Sequence, residues 1–183
     1  MAKVNNNIFV RGLSGSLGDQ FVVRQDRAGR TIVAARNHTA RQFNESQLAH
    51  QEAFRKAVAY AKSAMTHEVY VARAQGTAQS AFNAAVADWF NAPEILEVDT
   101  NTWNGGISET IRVQAQDDIY VAKVHVVIRD ENNTILEEGD ALPADGLWWT
   151  YNTQTDIDMS SNPQVTAQAY DLAGNVAERV AGN

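Results

Sequence analysis

Residues 165–177 read Val165-Thr166-Ala167-Gln168-Ala169-Tyr170-Asp171-Leu172-Ala173-Gly174-Asn175-Val176-Ala177. Apolar and polar side chains alternate as far as Tyr170, the period of a strand with one face on a core. Asp171, Gly174 and Asn175 are turn formers, and a second β-rich run begins at Val176, so the stretch predicts a hairpin. Moving outward, the same period governs 109–116 (Glu-Thr-Ile-Arg-Val-Gln-Ala-Gln) and 121–130 (Val-Ala-Lys-Val-His-Val-Val-Ile-Arg-Asp). A polar turn, Glu131-Asn132-Asn133-Thr134, follows the second, and shorter runs lie at 95–98, 135–137 and 147–151.

About seven short strands in roughly 90 residues form the pattern of an immunoglobulin-like β-sandwich. We place it at 93–183, after Asn91-Ala92-Pro93, where alanine-rich helical periodicity gives way to period two. Charge changes sign at the same point. Residues 1–92 carry 11 Lys and Arg against 6 Asp and Glu, a net of +5. Residues 93–183 carry 4 against 16, a net of -12, so the formal charge of -7 conceals two opposed halves. Halves of opposite sign attract each other between molecules.

The ending Tyr170-x-x-Ala173-Gly174-Asn175, with the Asp130-x-Asn132 end of a central strand, resembles bacterial Ig-like domains of the Big type over 94–180. That resemblance implies a spacer or adhesive module. The chain has no cysteine, so any pinning between sheets is apolar, with Trp148 or Trp149 as a core residue. The same absence excludes a thiol nucleophile and a thiolate zinc site.

Residues 1–92 predict a small β-unit followed by an αα-hairpin, making the whole chain α+β. Ile8-Phe9-Val10 is a strand triplet, and 21–24 and 31–34 flank the glycine-containing loop Asp26-Arg27-Ala28-Gly29-Arg30 as a hairpin. The unit has little core of its own and needs a partner surface. Asn44-Glu45-Ser46-Gln47 is a capping box, from which Phe54, Val58, Ala61 and Met65 run as one apolar stripe. A second helix from about Thr77 carries Phe82, Val86, Trp89 and Phe90 before Pro93, with 69–71 open between extended and helical. Of Trp89 and Phe90, one is expected to anchor this core and the other to meet the sandwich. The Gly-rich opening, the basic hairpin and Phe43-Asn44-Glu45-Ser46-Gln47-Leu48-Ala49 are similar to uncharacterised phage-associated and bacterial structural proteins, although His50-Gln51-Glu52 departs from their basic pattern. That similarity implies a structural component of a particle or filament.

No run approaches the length of a membrane span, and no apolar core of a secretory signal follows Lys3. We therefore expect no membrane insertion and cytoplasmic synthesis, with later release in a virion or exported particle compatible with the sequence. Gly12-x-x-Gly15-x-x-Gly18 is not a dinucleotide fingerprint and leads into a strand. The bases of the arm alternate with strand residues, and stacking aromatics are sparse, with only Phe9 and Phe21 before Phe43, which disfavours nucleic acid. His38, His50, His67 and His125 include no i,i+4 pair, and no Gly-x-Ser-x-Gly occurs. No catalytic grammar is present, and the chain is read as a non-enzyme.

Two functions follow. In the first, copies assemble head to tail, the acidic sandwich of one docking on the basic arm and helices of the next through Ile8, Phe9, Val10, Arg11, Arg24, Arg27, Arg30, Arg36, Trp89 and Phe90. In the alternative, the sandwich binds a carbohydrate or protein through Trp103, Trp148 and Trp149. No cofactor is called for. Asp117, Asp118, Asp130 and Asn132 are hard oxygen ligands in loops and make a calcium set, with turn chemistry as the competing reading.

Overall fold

The computed structural model describes residues 2–4, 12–36 and 43–182. It starts with an antiparallel sheet of β1 (Ala2–Val4), β2 (Gly15–Leu17), β3 (Phe21–Gln25) and β4 (Thr31–Ala35), in the order β1-β4-β3-β2. The β3–β4 hairpin is the expected one. Asp26 shapes its loop by accepting from the Arg30 backbone N–H at 2.9 Å and from Arg30 Nε at 2.6 Å, while Gly29 supplies a φ of +74°. β2 falls inside the glycine-rich stretch 12–18. Val23 and Thr31 are buried, whereas Leu13, Leu17, Phe21 and Val22 stay exposed.

The helical region holds α1 (Glu45–Ala64), α2 (Glu68–Ala74) and α3 (Ala81–Phe90). Asn44 caps α1 with the reciprocal bonds of a capping box, Gln47 N–H to Asn44 Oδ1 at 2.8 Å and Asn44 N–H to Gln47 Oε1 at 3.1 Å. The two expected helices are α1 and α3, and the open segment 69–71 belongs to the short α2. The apolar stripe of α1 is rotated from the expected one. Ala57 and Ala61 are buried, whereas Phe54 and Met65 are exposed. Alanines allow α1 to lie close to α3, and Tyr70, Ala84 and Ala85 complete a small core with Ala61.

α3 ends at Phe90 and β5 begins at Glu94. The sandwich comprises β5 (Glu94–Asp99), β6 (Thr110–Gln116), β7 (Val121–Arg129), β8 (Ile135–Asp140), β9 (Leu142–Pro143), β10 (Trp148–Asn152), β11 (Gln164–Asp171) and β12 (Val176–Val180). One sheet runs β5-β6-β10-β9 and the other β12-β11-β7-β8, all antiparallel pairs. This is the strand distribution of an immunoglobulin-like sandwich. Alternation works as expected. Ile111, Val113 and Ala115 of β6 face Val124, Val126 and Ile128 of β7 and Val165, Ala167 and Ala169 of β11 in one core. Tyr151 crosses to the second sheet over Gly139, where an added Cβ would stand 2.6 Å from the Tyr151 ring. Among the described residues, no helix is long and apolar enough to cross a membrane.

Candidate functional site

The turn between β11 and β12 does more than reverse the chain. Asp171 Oδ1 accepts the Asn175 backbone N–H at 2.7 Å, and Gly174 takes a φ of +90°. Asn175 Nδ2 then shares its two hydrogens between Asp171 Oδ2 at 2.6 Å and the carbonyls of Asp88 at 2.9 Å, Asn91 at 3.2 Å and Trp89 at 3.4 Å. The last turn of a helix leaves carbonyls without intrahelical donors, and here a sandwich asparagine supplies one to them. Ile119 and Leu172 of the sandwich add apolar packing against the helical core.

At this junction Asp88 is wholly buried. Its Oδ2 accepts from the Tyr70 hydroxyl, which is 2.7 Å from the Tyr60 hydroxyl. Burial pushes the Asp88 carboxyl up to about 6; the Tyr70 bond opposes this, and the charges of Asp171, Asp117 and Asp118 add to it. Burial also raises both tyrosines, the more so Tyr70, which donates to a carboxylate. Asp117 and Asp118 lie in the loop between β6 and β7. Asp117 Oδ2 accepts the N–H groups of Ile119 and Tyr120 at 2.9 and 2.8 Å, and Asp118 Oδ2 accepts from Asn91 Nδ2 at 2.9 Å. One carboxylate oxygen from each of Asp88, Asp117 and Asp118 lies within 4.8 Å of the others.

The four-residue calcium set is therefore divided. Asp117 and Asp118 precede β7, whereas Asp130 and Asn132 follow it, roughly 30 Å away along a nine-residue strand. Asp130 Oδ1 accepts from Asn132 and Thr134 N–H at 2.9 and 2.8 Å, the turn chemistry that competed with the metal reading there. Those backbone bonds hold its carboxyl below the usual range. Asp88 escaped the sequence reading. A signal existed: it is the sole acid of α3 and stands four residues after the buried Ala84.

Of the expected assembly residues, Ile8, Phe9, Val10 and Arg11 lie outside the described residues. Arg24 is exposed on β3. Arg27 donates to the Gln79 carbonyl at 2.6 Å, Arg30 pairs with Asp26, and Arg36 reaches Asp19 at 3.3 Å. Trp89 is half-buried with its ring 5.4 Å from that of Tyr60, and Phe90 is exposed and stacks on His50 at 6.0 Å. Both aromatics thus face α1, and Asn175, Ile119 and Leu172 make the junction instead. Trp103, expected at the surface, is buried in the sandwich core. Trp149 packs partly against that core, and Trp148 lies under Arg112, whose Cζ is 4.3 Å from the ring centroid.

No protein-family model matches the chain, and no curated protein resembles it in sequence at a significant level. Solved structures show weak likeness. An engineered protein aligns at 20% identity and a TM-score of 0.35 over 55% of this chain, which spans only 26% of that protein. CopC from Methylosinus trichosporium OB3b aligns at 10% identity and 0.34, over 49% of this chain and 88% of its own. A conjugative transposon lipoprotein from Bacteroides eggerthii gives 13% identity and 0.23, over 51% and 97%.

Proposed function

We propose that the chain is a non-enzymatic structural subunit that associates head to tail with copies of itself in a filament or particle. The observation that carries this reading is the uncovered apolar surface of the positive half. Leu17 and Phe21 on the small sheet, and Phe54 on the outer face of α1, are 55%, 42% and 50% exposed. Phe43, Leu48 and Phe90 are exposed as well. Large apolar side chains left at the surface of one half mark it as a docking surface. The negative half offers a counterpart: Tyr120, Leu142 and Leu147 are exposed beside Asp117, Asp118 and Asp145. A contact between these two different surfaces is heterologous and repeats from copy to copy. Among the described residues β2 is an edge strand of its sheet, a position suited to strand addition. The resemblance of 94–180 to bacterial Ig-like domains and the fainter one to phage-associated proteins agree with such a role.

Because Arg27, Arg30 and Arg36 already have partners within the chain, the contact is apolar at its centre, with charge aiding approach. Size-exclusion chromatography with light scattering, across concentration at low and molar salt, tests this. We expect concentration-dependent oligomers that weaken but persist in salt, and that Leu17→Ser with Phe21→Ser disperses. A monomer under every condition overturns the proposal. The reading as a binding module has one observation of its own: a cavity of about 290 Å³ lined by Tyr120, Pro143, Leu147, Trp148 and Trp149 among others. A stable monomer whose Trp148→Ala variant loses a glycan or peptide ligand would favour it.

A further inference from the structure

We propose that Asp88, Asp117 and Asp118 form a divalent-cation site that ties the helical region to the sandwich. Three observations converge on it. The three carboxylates come from α3 and the β6–β7 loop, and one oxygen of each falls within a 4.8 Å span. Each carboxylate has its other contacts arranged by the protein: Tyr70 holds Asp88 Oδ2, the Ile119 and Tyr120 amides hold Asp117 Oδ2, and Asn91 holds Asp118 Oδ2. The remaining oxygens of the first two, Asp88 Oδ1 and Asp117 Oδ1, are buried and reached by no hydrogen-bond donor. Asp88 itself has no exposed surface.

A buried carboxylate oxygen without a donor is costly, and two beside a third carboxylate are costlier still. Among the described residues none of the three makes an ion pair with Lys, Arg or His. A hard dication resolves both problems, since it accepts several carboxylate oxygens and cancels their repulsion. Outer contacts that fix one oxygen and leave the other for a ligand are how proteins orient carboxylates around metals. Three carboxylate oxygens within 4.8 Å of one another suit a hard divalent cation bound by oxygen ligands. A cavity of about 320 Å³ lined by Ala92, Glu94, Gln116, Asp117 and Asp118 adjoins the cluster, giving access and room for coordinating water.

The full-length chain, stripped with a chelator and exchanged into calcium-free buffer, is titrated with CaCl₂ by calorimetry and by thermal unfolding. Terbium luminescence sensitised by the neighbouring tyrosines gives an independent readout. One site per chain is expected, with a melting temperature that climbs with the logarithm of calcium concentration. Asp118→Asn, at an exposed position, keeps the fold and loses affinity by about tenfold or more. Asp117→Asn should behave likewise, and its calcium-free form should melt no lower than the wild type. The proposal is overturned if calcium produces neither heat nor a shift in melting. It is equally overturned if Mg²⁺ and Ca²⁺ act alike and both variants keep the full response, since general attraction to the acidic half explains that result.

Discussion

Glu137 is buried in the sandwich yet ionised by design of its surroundings. Its Oε1 accepts from the Tyr151 hydroxyl and the Gln154 N–H, both at 2.7 Å, and its Oε2 accepts from the Thr155 N–H at 3.1 Å and from the Thr155 hydroxyl. Burial pushes the carboxyl up, but these donors outweigh it and hold the group below its ordinary value of 4.5. A depressed carboxyl stabilises the fold above the unfolded value and loses that contribution as pH falls through the folded one. Glu137→Gln places an amide N–H₂ against the Thr155 donors, so we expect a loss of about 1–3 kcal/mol at neutral pH. The gap from wild type should narrow as pH drops below 4.5, measured by urea unfolding down to the most acid pH at which both stay folded. A constant gap would mean that charge is not what the site recognises. In the sequence, Glu137-Glu138-Gly139 looks like the frayed end of a strand. Nothing local reveals that its donors come from residues 151–155, just as nothing around Asp88 reveals Asp117.

At the scale of elements, helices and strands with a strong period were legible, and so was the capping box at Asn44. Elements of two or three residues, β1, β2 and β9, were not, because periodicity needs more residues than they have. The face of α1 shows a different limit. Hydrophobicity alone selects Phe54, Val58, Ala61 and Met65, but packing buries Ala57 and Ala61, and the small size of Ala61 sets the approach of α3. Ala61→Leu should therefore overpack the α1–α3 contact and cost about 1–3 kcal/mol. Phe54→Ser, on the outer face, should change stability by no more than about 0.5 kcal/mol while weakening association. Thermal unfolding of the two variants side by side checks the assignment. Equal destabilisation would return Phe54 to the core.

For the whole molecule, the contrast between the two cores decides how it unfolds. The helical core is built on Ala61, Tyr70, Ala84 and Ala85, whereas the sandwich core runs through both sheets from Ile95 to Ala169. A core of mostly alanine removes little apolar area from water, so the helical region depends on what the sandwich supplies. The hairpin turn that identified the sandwich is also what supplies it, through Asn175 Nδ2 and the carbonyls at the end of α3. That second role is invisible in the sequence because the partners are more than 80 residues apart. Asn175→Ala should leave the turn closed, since the backbone N–H of residue 175 still reaches Asp171 Oδ1. It should remove the side-chain donor that Asp171 Oδ2 shares with the carbonyls at the end of α3, and loosen α3 first. Hydrogen exchange in the monomeric chain is then expected to quicken at 81–91, with 111–128 protected as in the wild type. If both segments lose protection together, the helices and the sandwich open as one unit and the junction is part of a single core.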